Sequence, residues 1–205
     1  MSEIRSPDRV ESIIATVCLG LVLLFHGWGA SVGWNSQSLP GCEFRQTQTA
    51  LSAHFILREK NYSLAYPTPV LGKPWSIPME FPLYQWTVAK VTELSGWPLT
   101  QVGRGVSLVC FYLTLPALYG LARCLGLPRA RALLVLSFIV ICPLYIFYAR
   151  AFLIETMAWM FGSWFLLGYV MSAGQRRPAW LVVAAAGGVG AGLVKVTTLI
   201  AFLLP

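Results

Sequence analysis

The chain has 205 residues, 57% of them hydrophobic and only 11% charged, with a mean hydropathy of +0.66. A soluble domain carries about a quarter charged residues, so the composition excludes an ordinary soluble fold and points to a membrane protein. The net charge of +7 does not indicate nucleic acid as a partner, because the basic residues are scattered between apolar runs and form no stripe; anionic membrane lipids are their natural partner.

Met1 to Glu11 is polar and carries Arg5 and Arg9. Residues 1–12 are therefore assigned to a cytoplasmic N-terminus. Ile13 to Val32 follows as an apolar run long enough for a hydrocarbon core that needs about 20 residues, so residues 13–33 are assigned to a first membrane helix. A signal peptide is the competing reading. It is disfavoured by the length of the run and by Gly33-Trp34-Asn35, which offers no small-residue cleavage pattern. His26, inside the run, reads as a packed histidine.

Residues 34–104 form a long polar loop rich in aromatics. Arg45 to Lys60 reads as a helix with Phe44, Leu51 and Phe55 on one face. Tyr66-Pro-Thr-Pro and Gly72-Lys-Pro-Trp75 break it. A second helix is expected from about Pro82, with Phe81, Tyr84, Val88 and Val91 sharing a face. Both are expected to lie flat in the membrane interface, with Trp75, Trp86 and Trp97 in an aromatic belt. Asn61-Tyr-Ser63 fits a glycosylation sequon, with chance the favoured explanation.

Residues 105–205 are read as four further membrane helices, over 105–122, 132–147 with a kink at Pro143, 156–171, and from Ala179 onward. In the last, Gly187, Gly188, Gly190 and Gly192 would let a neighbouring helix approach closely. The run ends at Ala201-Phe-Leu-Leu-Pro205, which suggests the N-terminal part of a longer protein. Five cysteines occur, at positions 18, 42, 110, 124 and 142. None forms a CxxC pair, so zinc is not indicated.

Arginines set the orientation. With the N-terminus in the cytoplasm, Arg5, Arg9, Arg123, Arg129, Arg131, Arg176 and Arg177 fall inside, and the short outer loop keeps only Arg150. This places Glu43, Glu80 and Glu155 on the outer side, together with Arg45, Lys73, Arg150 and Lys195. Carboxylates and cations gathered there could deprotonate an acceptor and neutralise a phosphate leaving group. Two carboxylates could also hold a divalent metal. The ordinary alternative is a set of surface charges flanking membrane helices. Lys195 fits that alternative least, because it interrupts an apolar run.

Two stretches carry a resemblance: Glu43-Phe-Arg-Gln-Thr-Gln-Thr-Ala50, and Trp75-Ser-Ile-Pro-Met-Glu80-Phe-Pro-Leu-Tyr-Gln-Trp86. They resemble the first outer loop of GT-C fold membrane glycosyltransferases, specifically the bacterial relatives of dolichyl-phosphate-mannose protein mannosyltransferases and aminoarabinose transferases. Arg150-Ala-Phe-Leu-Ile-Glu155 and Gly192-Leu-Val-Lys195 resemble later family stretches. The resemblance implies an all-α polytopic fold of about five membrane helices here, with a catalytic-type outer loop carrying two interfacial helices.

It also implies an inverting enzyme of the bacterial inner membrane. The donor would be a polyprenyl-phosphate-linked sugar and the acceptor a lipid, glycan or protein. Glu43 takes the place of the base. Glu80, Arg150 and Lys195 would hold the donor phosphate, and Glu43 and Glu80 a metal ion. Arg45, Lys73 and Glu155 would support the site. The family position of Glu43 is usually an aspartate in an acidic pair; here Cys42 precedes it and Phe44 follows. No GxGxxG or Walker A pattern suggests a nucleotide cofactor. A non-catalytic polytopic protein, a transporter half or an assembly subunit, is the competing class, and Lys195 and His26 are its best support.

Overall fold

The structure is a computed structural model that describes residues 6–36, 40–66, 68, 80–175 and 178–203. Lys73, Trp75, Arg5, Arg176 and Arg177 lie outside them. The described residues form eight helices and no strand: α1 (Ser6–Ser31), α2 (Glu43–Glu59), α3 (Leu83–Ser95), α4 (Leu99–Cys124), α5 (Arg129–Ile141), α6 (Pro143–Arg150), α7 (Glu155–Gln175) and α8 (Pro178–Leu203).

Three helices are long and apolar enough to cross a membrane: α1, α4 and α8, with mean hydropathies of 2.0, 1.7 and 1.7. A fourth span results if α5 and α6 count as one; they meet at 66° across Cys142. Pro143 sits at the first position of α6, where its missing N–H costs nothing. The bend therefore falls where the sequence put a kink. The expected count of five is thus three or four. The fifth expected span, α7, has the length at 21 residues, but its Trp, Tyr, Ser and Gly content dilutes its apolar character.

The second expected span begins earlier than the charge pattern indicates. The helix starts at Leu99 rather than Gly105 and carries Arg104 within it. Arg104 is 1% exposed, and its guanidinium donates from Nη1 to the carbonyls of Gly33 and Trp34. Those carbonyls follow the last turn of α1, where unpaired oxygens and the negative end of the helix dipole favour a cation. Arg104 therefore belongs to the α1–α4 junction.

Glycine spacing in α8 does what the sequence indicates. A Cβ at Gly187 would lie 2.5 Å from the Phe165 amide nitrogen and 2.8 Å from the Phe161 carbonyl. Backbones approach this closely only without side chains between them, and α7 with α8 is the most extensive helix pair.

The two loop helices stand on the membrane helices. Tyr84 and Val88 of α3 and Ala53 of α2 share one core with Val102 and Cys110 of α4, Phe152, Met157 and Ala158 around α7, and Val194 of α8. Tyr84, fully buried, donates its hydroxyl to the Gly103 carbonyl at 2.7 Å and lies 2.8 Å from Ser107 Oγ. Ser107 in turn donates to the Leu153 carbonyl at 3.1 Å. This chain of bonds ties α3, α4 and the segment before α7 into one unit.

On α2 the inward face is Gln46, Ser52, Ala53 and Ile56, while Phe44 and Leu51 are exposed. Of the apolar side chains expected to share a face, Phe44 and Leu51 are turned outward and Phe55 is half-buried. On α3 the inward face includes Tyr84 and Val88 as expected, whereas Val91 is exposed. His26 packs as the sequence suggests: its ring stacks on Phe111 at 4.8 Å, and Nδ1 lies 3.0 Å from the Tyr112 hydroxyl.

Candidate functional site

Glu155 and Lys195 form an ion pair between α7 and α8, and Glu80 and Arg45 of the loop lie near enough to act on one another electrostatically. Glu155 opens α7, and its Oε1 accepts from Lys195 Nζ at 2.9 Å. Lys195 occupies a break in α8: its backbone is extended (φ −161°, ψ 98°) inside an otherwise helical segment. The break takes the lysine off the apolar face that a continuous helix would impose. Both partners are partly exposed, at 24% and 32%, so the pair is reachable from outside.

Glu80 comes to the same place from the end of the loop. Burial raises its pKa above the usual carboxylate value; Arg45 and Lys195 pull it down, and Glu155 pushes it up. Its main chain is anchored by Tyr66, whose hydroxyl donates to the Glu80 carbonyl at 2.6 Å. Arg45, Gln48, Ser52, Thr68 and Gln85 surround Glu80 in a small polar recess. Thr68 Oγ1 and Gln85 Oε1 there have no hydrogen-bond partner within the chain. Arg45 and Glu80 thus share one recess, while Glu155 and Lys195 are paired directly.

Glu43 stands apart from this arrangement. It is the first residue of α2 and is exposed, and its Oε1 accepts from the Gly41 amide at 3.0 Å. Its own amide and that of Gly41 hold its carboxyl below the usual range. Arg150 is also engaged elsewhere. Its Nη1 donates to the Gly29 carbonyl at 2.9 Å and to that of Val32, so it closes the end of α1 beside Arg104. Among the expected site residues, the structure brings together Glu80, Arg45, Glu155 and Lys195. It places Glu43 at the surface and Arg150 on α1. Lys73 is outside the described residues.

Among the described residues no three His, Cys, Asp or Glu side chains come together.

The sequence reading missed Arg104 and Thr156. The expected loop over residues 34–104 ends on Arg104, which the structure places inside α4. The apolar periodicity running on from Leu99 was the available signal. Thr156 follows Glu155 and is 3% exposed, with Oγ1 unpartnered. No sequence pattern marks it.

Compared with models of protein families, with curated proteins and with solved structures, the chain matches none.

Proposed function

We propose that the chain is a membrane-embedded glycosyltransferase that moves a sugar from a polyprenyl phosphate to an acceptor at the outer face of the bacterial inner membrane. The observation that carries this reading is the Glu155–Lys195 ion pair of the membrane helices, with Glu80 of the loop near enough to feel both charges and Arg45 beside it. A lipid phosphate rides at the height of such helix ends, and cations there neutralise it.

In the reaction an acceptor hydroxyl oxygen bonds to the anomeric carbon. The bond from that carbon to the phosphate oxygen breaks, and its electron pair leaves with the phosphate. A carboxylate takes the acceptor's proton. Lys195 and Arg45 offset the charge that grows on the phosphate. Direct displacement inverts the anomeric carbon. The resemblance gives the base role to Glu43, which is open to an acceptor arriving from water. Glu80 has the proton affinity better suited to a base near neutral pH, because burial raises it.

The test uses the full chain in lipid nanodiscs with a labelled polyprenyl-phosphate hexose. Glu80→Gln and Glu43→Gln are compared with wild type for release of polyprenyl phosphate and label transfer. Loss of the base should lower kcat by about 10²–10⁴-fold. Rates unchanged in both variants, or no binding of polyprenyl phosphate, would sink the proposal.

The break in α8 at Lys195 favours one other reading, a transporter half. Discontinuous membrane helices line substrate sites in such proteins. Solute uptake into proteoliposomes that is lost in Lys195→Met, with no polyprenyl-phosphate binding, would decide for it.

A further inference from the structure

We propose that the cavity beside the Glu155–Lys195 pair is the subsite for the sugar ring and disfavours a sugar that carries a carboxylate. The inference rests on the transferase reading and names the part of the donor that this cavity holds.

The cavity measures about 280 Å³, and its walls include Phe111, Tyr145, Trp159, Glu155 and Thr156. Ligand pockets are mostly apolar and aromatic, with a few polar groups that fix orientation, and usually span about 300–1,000 Å³. A volume at the bottom of that range suits one ring rather than an oligosaccharide. Tyr145 of α6 and Trp159 of α7 stack at 4.8 Å with 7° between their planes. Phe111 of α4 lies 6.0 Å from Trp159. The aromatic wall is thus held by three helices: Phe111 is buried behind it, and the half-buried Tyr145 and Trp159 offer the apolar surface that the C–H groups of a sugar need.

The polar groups are incompletely used. Glu155 gives Oε1 to Lys195, but its Oε2 is buried with no partner among the described residues. Thr156 Oγ1 is in the same state, on a side chain that is 3% exposed. Buried polar atoms are nearly always hydrogen-bonded, so these two are set for a ligand. They belong to consecutive residues in the first turn of α7. An ionised carboxylate only accepts, whereas a threonine hydroxyl donates or accepts. Neighbouring sugar hydroxyls answer both: one donates to Oε2 and the next bonds Thr156. A sugar bearing its own carboxylate would meet Glu155 with like charge. Lys195, at the same pair, is then placed for the donor's phosphate.

The experiment measures binding to the full chain in nanodiscs with three probes: polyprenyl phosphate, polyprenyl-phosphate glucose and polyprenyl-phosphate glucuronate. Glucose should tighten binding about tenfold over the bare lipid, the equivalent of one recovered polar contact, and glucuronate should not. Thr156→Val should remove the glucose gain and leave the bare lipid's affinity unchanged, while Thr156→Ser should keep the gain. Equal gains from glucose and glucuronate would overturn the proposal. So would a Thr156→Val loss shared equally by all three probes. If polyprenyl phosphate binds and glucose adds nothing, the sugar subsite falls while the donor reading stands. If none of the three binds, both fall.

Discussion

Lys195 Nζ sits 2.9 Å from Glu155 Oε1, joining the break in α8 to the first residue of α7. The contact spans 40 positions of sequence. It neutralises a cation in an otherwise apolar helix, where an unpaired charge is costly. Removing one partner strands the other. Lys195→Met and Glu155→Gln should each lower the melting temperature in detergent, and the double variant should lose less than the sum. The coupling energy should fall at about 0.5–3 kcal/mol, the range for residues in contact. Additive losses would show that the pair contributes nothing as a pair.

Glu80 should make stability depend on pH in a particular direction. Its folded pKa is raised by burial, so the folded state holds the proton more tightly than the unfolded one. The stability this confers is full below about pH 4.5, the ordinary value, and is lost as pH rises through the elevated one. Glu80→Gln stays neutral throughout. Its melting temperature relative to wild type should therefore climb as the pH rises above about 4.5. A difference that stays flat across that range would contradict the environment described for Glu80.

Arg104 and Arg150 close the same helix end, on the carbonyls of Gly29, Val32, Gly33 and Trp34. Arg104 is the more buried, and Arg104→Ala should cost about 1.5–3 kcal/mol for the lost charged hydrogen bonds. Arg104→Lys should recover only part, since an ammonium does not reproduce the planar fork. Thermal melts of the two variants check this. Equal stability of Arg104→Ala and wild type would remove the junction from the account of the fold.

Gly187 tests the α7–α8 contact. A methyl group there meets backbone, 2.5 Å from the Phe165 nitrogen, whereas one at Gly105 meets nothing within 4 Å. Gly187→Ala should destabilise by about 1–3 kcal/mol. Gly105→Ala should be neutral or better, since alanine is the stronger helix former. The order of the two melting temperatures is the measurement.

The sequence by itself determined the class of the fold. Long apolar runs require helices that satisfy their own backbone groups in lipid, so α1, α4 and α8 were legible from composition. Pro143 placed the bend, and the glycines of α8 placed its close neighbour, because both act through local geometry. Glu43, Glu80, Glu155 and Lys195 are legible as candidates from their charge, their side of the membrane and the resemblance of the stretches that hold them. Which of these side chains meet was decided only by tertiary structure. Glu155 and Lys195 pair because α7 packs on α8 and α8 breaks where it does. Arg104 turns inward because α1 ends beside it, and α2 shows its apolar Phe44 and Leu51 outward because its small and polar face fits the core. Contacts between positions far apart depend on how helices pack, and no local pattern encodes that.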